Sequence, residues 1–436
     1  MQSPRLEPPV NAGEASALAT ALTPAGSGPA GHIRHIVVIV QENRTVDNLF
    51  QSLPGARTQS WGYNSHRQKV SLRAEPLTAP YDVEHNHFPS WRDEYADGAM
   101  DGFNLAPSHC FAFSTCPPAG QRAYAYVPEP DVAPYYSLAE QYTFADEMFQ
   151  SNQGPSFPAH QYILSGTSTV HDGARDRASE NPGNGKGGCD SPNRSRVWLI
   201  DLAGLQRRRV FPCFTRTSVL TLLDADGISW KYYQANTGSG VWHAVDALEP
   251  IWSRKLEYAS HVVDPPGTVL NDIAGGKLPS VVFVTPTGKA SDHPGVTDGT
   301  GPSWVASVVN AVGKSAYWND SAIIVTWDDW GGWYDHVKPV MYNSYELGFR
   351  VPLIVISPYA KTAYVSHVPY EFGSILKFVE ETFNLGSLGT TDLRATDLSD
   401  CFTFAVHPRR FGKIRAPYSA KYFLRQPLTN QPPDKD

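Results

Sequence analysis

Two short apolar runs in this chain end in the same way, 286 residues apart (42 to 328). His35-Ile36-Val37-Val38-Ile39-Val40 leads into Gln41-Glu42-Asn43-Arg44, and Ala322-Ile323-Ile324-Val325-Thr326-Trp327 leads into Asp328-Asp329-Trp330-Gly331-Gly332. If the two runs are neighbouring strands, Glu42, Asn43, Asp328 and Asp329 bring four hard oxygen donors to one point, a start on a divalent cation site. Either stretch alone also fits helix capping or a turn, since Asp and Asn serve both. A third stretch, Gly154-Pro155-Ser156-Phe157-Pro158-Ala159-His160, places a serine in a rigid turn before the apolar Tyr162-Ile163-Leu164. A helix N-terminus there favours an anion, either a serine alkoxide or the phosphate it attacks; the plainer reading is an N-cap. Acid–histidine groups recur at Asp292-His293-Pro294, Asp335-His336 and Asp82-Val83-Glu84-His85-Asn86-His87. Neutral imidazole ligates metals and protonated imidazole stabilises oxyanions. The acyl-transfer elbow Gly-x-Ser-x-Gly does not surround Ser156, which argues against lipase or esterase chemistry.

The elements that must position these residues are partly legible. Ile36–Val40, Ser229–Tyr233, Pro279–Val284, Ala322–Trp327 and Val351–Ser357 read as strands, several of them buried on both faces. Asp131–Phe149, with Leu138, Tyr142 and Met148 inward, is expected to be helical, as are Val219–Leu223, Pro302–Lys314 and Ser374–Phe383. Strands alternating with helices predict an α/β fold with a mostly parallel sheet covered on both sides, and ligand sites in such sheets lie beyond the carboxyl ends of the strands. Residues 51–135 and 170–215 read as long irregular insertions, and a loop region of that length is usually functional. One domain over 32–411 accounts for the rest. Residues 1–31 read as a disordered lead-in without a secretory leader, and 412–436 as a basic surface tail.

Composition narrows the function classes. The 51 aromatic residues (11 Trp, 21 Tyr, 19 Phe) can build a large core. A net charge of −7 with no prominent basic run argues against nucleic acid as partner. No apolar run approaches the ~20 residues needed to span a bilayer. Cys110 with Cys116 and Cys189 with Cys213 suit two disulfides of a periplasmic or secreted enzyme, with Cys401 free. Oligomeric state carries no signature here.

At this point the chain resembles a known family, the bacterial phosphoesterases, which include phospholipases C and acid phosphatases. The resemblance rests on Glu42-Asn43-Arg44-Thr45-Val46-Asp47-Asn48-Leu49-Phe50, Met100-Asp101-Gly102-Phe103, Gly154-Pro155-Ser156-Phe157-Pro158, Asp292-His293-Pro294, Asp328 through Val337, and Phe349 through Ala360. Asn48 and Trp330 stand where the family often has histidine. The resemblance implies an alkaline-phosphatase-like fold, a three-layer α/β/α sandwich around a mixed sheet. It implies Ser156 as nucleophile and Glu42, Asn43, Asp328, Asp329 and Ser156 Oγ as ligands of a divalent metal. It implies His293 and His336 at the phosphoryl oxygens or in acid/base steps, with His85, or else His87, as a third histidine.

The expected chemistry is metal-dependent hydrolysis of a phosphoric ester through a phosphoserine. Oxygen-rich ligation leans toward Ca²⁺, Mg²⁺ or Mn²⁺, while the fold also suits Zn²⁺. Phospholipase C-type diester cleavage, with transient contact to a membrane surface, is the first reading. A broad acid phosphatase acting on phosphorylated small molecules is the second, and a non-catalytic protein binding phospho-ligands or metal is the third. Trp91, Trp330 and Trp333 are candidates for a choline cage by cation–π attraction, or else for core. One geometric expectation decides the matter: Glu42, Asp328 and Ser156 must lie together.

Overall fold

Eight strands form the central sheet. In chain order they are β1 His35–Gln41, β2 Thr143–Ala145, β3 Trp230–Tyr233, β4 Val262–Val263, β5 Val281–Val284, β6 Ser321–Trp327, β7 Leu353–Ile356 and β8 Tyr364–Ser366. Across the sheet the order is β4-β3-β5-β1-β6-β7-β2-β8. Every pairing is parallel except those of β7, which runs against both β6 and β2. The structure, a computed structural model, describes residues 28–111, 116–236, 238 and 240–427.

Every residue of β5, β6 and β7 is buried, so both faces of the sheet are covered. The helices that cover them are α1 Glu129–Gln141, α2 Ser156–Ser165, α3 Val219–Ala225, α4 Thr268–Ala274, α5 Gly301–Gly313 and α6 Phe372–Phe383. They pack as two groups: α5 meets α1 and α4, while α2 meets α3 and α6. The result is the expected three-layer α/β/α sandwich around a mostly parallel mixed sheet. Among the described residues, no helix is long and apolar enough to cross a membrane.

One expected helix is corrected. The helix read over Asp131–Phe149 stops at Gln141, Thr143–Ala145 is β2, and Met148–Phe149 is a short strand beside Tyr370–Glu371. Thr143 and Phe144 pair with β7 on one side and β8 on the other, and that double pairing overrides the helical periodicity of the sequence. Leu138, Tyr142 and Met148 are buried, but only Leu138 as a helical residue.

The long insertions are built, not loose. Residues from 51–135 form a second core of Tyr81, Phe103 and Tyr124 with Trp330, Trp333 and Phe349. The 170–215 region carries a hairpin, Val197–Ile200 with Gln206–Val210, over a small core containing Leu199, Phe214 and Trp242. Both disulfides are present, Cys110–Cys116 and Cys189–Cys213, and Cys401 is a buried free thiol. The tail is only partly at the surface. Ile414 is buried, it exchanges two hydrogen bonds of 2.9 Å with the Asn310 side chain on α5, and Phe423 packs edge-on against Trp304. The expected disordered lead-in falls, for residues 1–27, outside the described residues, as do 428–436 of the tail.

The Cys189–Cys213 bridge closes a loop of 24 residues of separation under the hairpin. Replacing both cysteines by serine is expected to lower unfolding free energy by about 3 kcal/mol, read as a shift in the denaturant midpoint.

Candidate active site

The register of β1 against β6 sets the site. The two strands pair residue for residue up to Gln41 opposite Trp327, so Glu42 and Asp328 leave the sheet side by side. The Asp328 N–H continues the ladder to Gln41 O at 3.0 Å, and the Asn43 N–H turns back onto Asp328 Oδ1 at 3.1 Å. Asn43 adopts a left-handed conformation, φ 61°, to make that turn. Gly331, φ 60°, lies against it; a Cβ there would stand 2.4 Å from Asn43 O. Only glycine permits backbone to approach that closely.

Ser156 is the first residue of α2. Pro155 is the cap residue, and the Ser156 side chain does not cap the helix. Its hydroxyl donates to Asp329 Oδ2 at 3.2 Å. Asn43 Nδ2 lies 3.1 Å from Asp329 Oδ1 and 3.4 Å from Ser156 Oγ. One turn along α2, His160 Nε2 is 3.0 Å from Glu42 Oε1 and 3.6 Å from Asp328 Oδ2. Glu42, His160 and Asp328 each offer a ligand atom within 4.8 Å of one another. His160 stands in the same short stretch as Ser156, and the sequence reading gave it no role. The signal was available: once Ser156 opens a helix, position i+4 shares its face.

Of the two histidines weighed, His85 joins the cluster. Its Nε2 is 2.9 Å from Asn43 Nδ2 and 3.9 Å from Asp329 Oδ2, while Nδ1 bonds Val83 O. His87 points elsewhere, with Nδ1 on Gln153 O at 2.8 Å. The His293 ring lies 5.9 Å from that of His85, its Nδ1 bonded to Pro294 O. His336 is not brought to this cluster. Its Nδ1 bonds Asp47 Oδ2 at 2.7 Å, in a buried network where Arg350 holds Asp335 through Nε at 2.8 Å. Asp47, Asp335 and His336 also have ligand spacing, but the Arg350 guanidinium already supplies their positive charge.

The tryptophans are core, which corrects the cage expectation. Trp91 stacks between His87 and Tyr95, Trp330 packs on Phe349, and the cation over Trp333 is Arg44, 4.9 Å from the ring centre. With these faces filled by the protein, the three rings do not form an open box.

The electrostatics favour a cation. Glu42, Asp328 and Asp329 are fully buried. Burial and the neighbouring Asp328 push the Asp329 carboxyl well above the usual carboxylate range. Burial pushes the His160 imidazole down to about 4 against the opposing pull of Asp328, so it stands neutral, with a lone pair for a metal. Asn43 Oδ1 and Asp328 Oδ2 are buried with no hydrogen-bond partner. Oxygen atoms buried in that state are what a divalent ion satisfies.

Three buried histidines, His87, His160 and His243, have pKa values lowered to about 4 by burial. Between pH 6.5 and 4 the unfolded chain therefore binds more protons than the folded chain, and stability falls as pH falls through that window. The slope is up to about 1.4 kcal/mol per pH unit for each histidine. His87→Gln is expected to make the slope shallower by one such contribution in unfolding measurements across that range.

Comparison with known proteins places the chain in a family. The profile of the Phosphoesterase family matches residues 33–386. Phospholipase C A of Mycobacterium tuberculosis is 26% identical over 88% of this chain and 80% of its own length. The non-hemolytic phospholipase C of Pseudomonas aeruginosa is 22% identical over 86% of this chain and 57% of its own. Among solved structures, an alkaline phosphatase superfamily protein from Vibrio parahaemolyticus aligns over 84% of this chain and 71% of its own, at 10% identity and a TM-score of 0.38. With four-fifths of its length matched by one profile, the chain belongs to the phosphoesterase family of phosphoric ester hydrolases.

Proposed function

We propose that this enzyme cleaves phosphodiesters of the phospholipid type, in the manner of a phospholipase C, using Ser156 as nucleophile. The observation that carries the reading is the Ser156 hydroxyl, held 3.2 Å from a buried carboxylate beside the Glu42–His160–Asp328 cluster. In this reading Glu42, Asn43, Asp328, Asp329, His160 and Ser156 Oγ hold a divalent ion, Asn43 presenting Oδ1 after rotation of its amide. When bound, such an ion acidifies the serine hydroxyl and neutralises phosphoryl charge. Oxygen donors dominate the set, which suits Mg²⁺, Mn²⁺ or Ca²⁺, and His160 adds a donor that Zn²⁺ also accepts.

The residues of the chain do the rest. Asp329 Oδ2, 3.2 Å from the hydroxyl, accepts the Ser156 proton as Oγ attacks phosphorus. The bond from phosphorus to the leaving alcohol breaks and a phosphoserine forms. His85 and His293 each anchor Nδ1 on a main-chain carbonyl, so their chemistry falls to Nε2. There they hold phosphoryl oxygens, and one in its protonated form gives the leaving oxygen its proton. Water then attacks the phosphoserine, the P–Oγ bond breaks, Ser156 Oγ takes its proton back from Asp329, and the proton of the water passes to the same imidazole. His336 takes no direct part; through Asp47 it belongs to the Arg350 network behind the site.

The phospholipid reading draws on the phospholipases C among the relatives, and the two disulfides support a periplasmic or secreted setting. Diester cleavage is favoured over monoester hydrolysis on that ground.

Wild type is expected to hydrolyse p-nitrophenylphosphorylcholine faster than p-nitrophenyl phosphate and to lose turnover in chelator; the reverse preference would make it a phosphatase. Ser156→Ala and Asp328→Asn are each expected to lower kcat by about three orders of magnitude or more. Wild-type turnover in either variant would sink the mechanism. Inactivity of wild type on both esters with Mn²⁺, Ca²⁺, Mg²⁺ and Zn²⁺ supplied in turn would point to a binding protein.

A further inference from the structure

Asp292 precedes His293 and takes no part in the chemistry above. It lies fully buried in the stretch between β5 and α5. Two donors meet on one of its oxygens: the Tyr135 hydroxyl of α1 at 2.8 Å and the Trp327 indole N–H at 3.0 Å both reach Oδ2. The two donor rings also pack edge to face, with centres 5.0 Å apart. The Asp292 carbonyl accepts from Arg44 Nε at 2.9 Å. Oδ1 stands in the place that a Cβ on Gly301 would need. A carboxyl group packed and bonded on every side keeps one position.

These partners belong to the strand ends that build the site. β5, β1 and β6 are consecutive in the sheet. Trp327 is the last residue of β6 and leads into Asp328, while Arg44 follows the Asn43 turn beyond β1. Through one residue, the loop after β5 is therefore bonded to the segments that carry Glu42 and Asn43 and to those that carry Asp328 and Asp329. Gln41, at the end of β1, adds a second tie: its Nε2 donates to the Ala290 and Gly301 carbonyls, each at 3.3 Å, on either side of Asp292.

His293 itself is held by local bonds. Its N–H donates to Ser291 Oγ at 3.2 Å, its carbonyl accepts from the Thr297 N–H at 3.0 Å, and its Nδ1 bonds Pro294 O at 2.8 Å. Those bonds fix the ring within its own loop. They say nothing of where the loop stands relative to the acids, and that placement falls to Asp292. A phosphoryl group must meet the acids and the His293 imidazole at the same time, and a misplacement of about 1 Å can cost about a hundredfold in rate.

We propose that Asp292 is a positioning residue for phosphoryl transfer: its carboxyl group, tied to Tyr135 and Trp327, fixes His293 against the strand ends that carry Glu42 and Asp328. The proposal rests on the reading of His293 as a residue that meets the phosphoryl group, and its test separates the two. Asp292→Asn, His293→Gln and the double variant are assayed on p-nitrophenylphosphorylcholine with the metal that supports wild-type turnover. Tyr135→Phe, alone and with His293→Gln, cuts the same link more gently. Asp292→Asn is expected to lower kcat about a hundredfold, with KM within about threefold of wild type. Tyr135→Phe, which removes one hydrogen bond, is expected to lower kcat by about threefold to tenfold. In the His293→Gln background both losses shrink to about twofold or less, because the group being positioned is gone. A carboxyl group that served only the packing of α1 on β6 would cost the same factor in either background, and that result overturns the proposal. So does wild-type kcat in Asp292→Asn. If Asp292→Asn does not fold, the Tyr135→Phe pair decides by the same criterion. Failure of the underlying reading looks different: wild-type turnover in Ser156→Ala or in His293→Gln removes that reading, and the role of Asp292 with it.

Discussion

Three carboxylates without access to water sit at the adjoining ends of two parallel strands, and the rest of the molecule is arranged around that fact. Glu42, Asp328 and Asp329 are met by a neutral imidazole, an amide and a hydroxyl. None of those carries the positive charge that would offset so much buried anion, and an isolated buried carboxylate is among the most expensive groups a fold can hold. The same burial that makes the cluster unfavourable by itself lowers the local dielectric and so strengthens its hold on a cation and a phosphoryl group.

The scaffold keeps competing cations away by giving them other work. Arg44, one residue past the Asn43 turn, is fully buried. Its guanidinium bonds the carbonyls of Asp292 and Leu77 and lies on Trp333. Arg350 is likewise committed to Asp335, Asp47 and the carbonyl of Asp146. The second core, from the long insertion, packs Trp330 and Phe349 behind His85 and ties the Trp330 indole N–H to the buried Glu94 at 2.6 Å. What reads as a loop region in the sequence is therefore the wall that orients one histidine.

The features legible in the sequence were those with a local signature. β-branched runs ending in acids gave the strand ends, and their pairing in register followed once both proved central. Ser156 and the histidine–acid groups were legible as chemistry. What sequence could not supply was direction. His336 and His293 look alike in the chain, yet one faces Arg350 and Asp47 while the other lies against His85, because only tertiary packing decides where a loop histidine turns. His160 was hidden for the opposite reason: the helix opening at Ser156 was legible, but a histidine one turn along it carries no sign of the acids it will meet. Thr143–Ala145 was lost to a helical pattern that ran on past Gln141, where two flanking strands impose an extended backbone. The aromatic residues of the long insertion carried no period that would announce a core, since they arrive singly from several loops.

The place of β1 has a consequence for how the chain is assembled. It is the first of the described strands of the sheet and lies near its middle, yet its partners β5 and β6 begin at Val281 and Ser321. A nascent chain must carry Ile36–Val40 without these partners until synthesis has passed Val281. Pairings of such long sequence separation close slowly, because loop entropy is lost before any contact compensates. The order of synthesis thus keeps the site from forming early: no fragment ending before Asp328 can bring Asp328 and Asp329 beside Glu42.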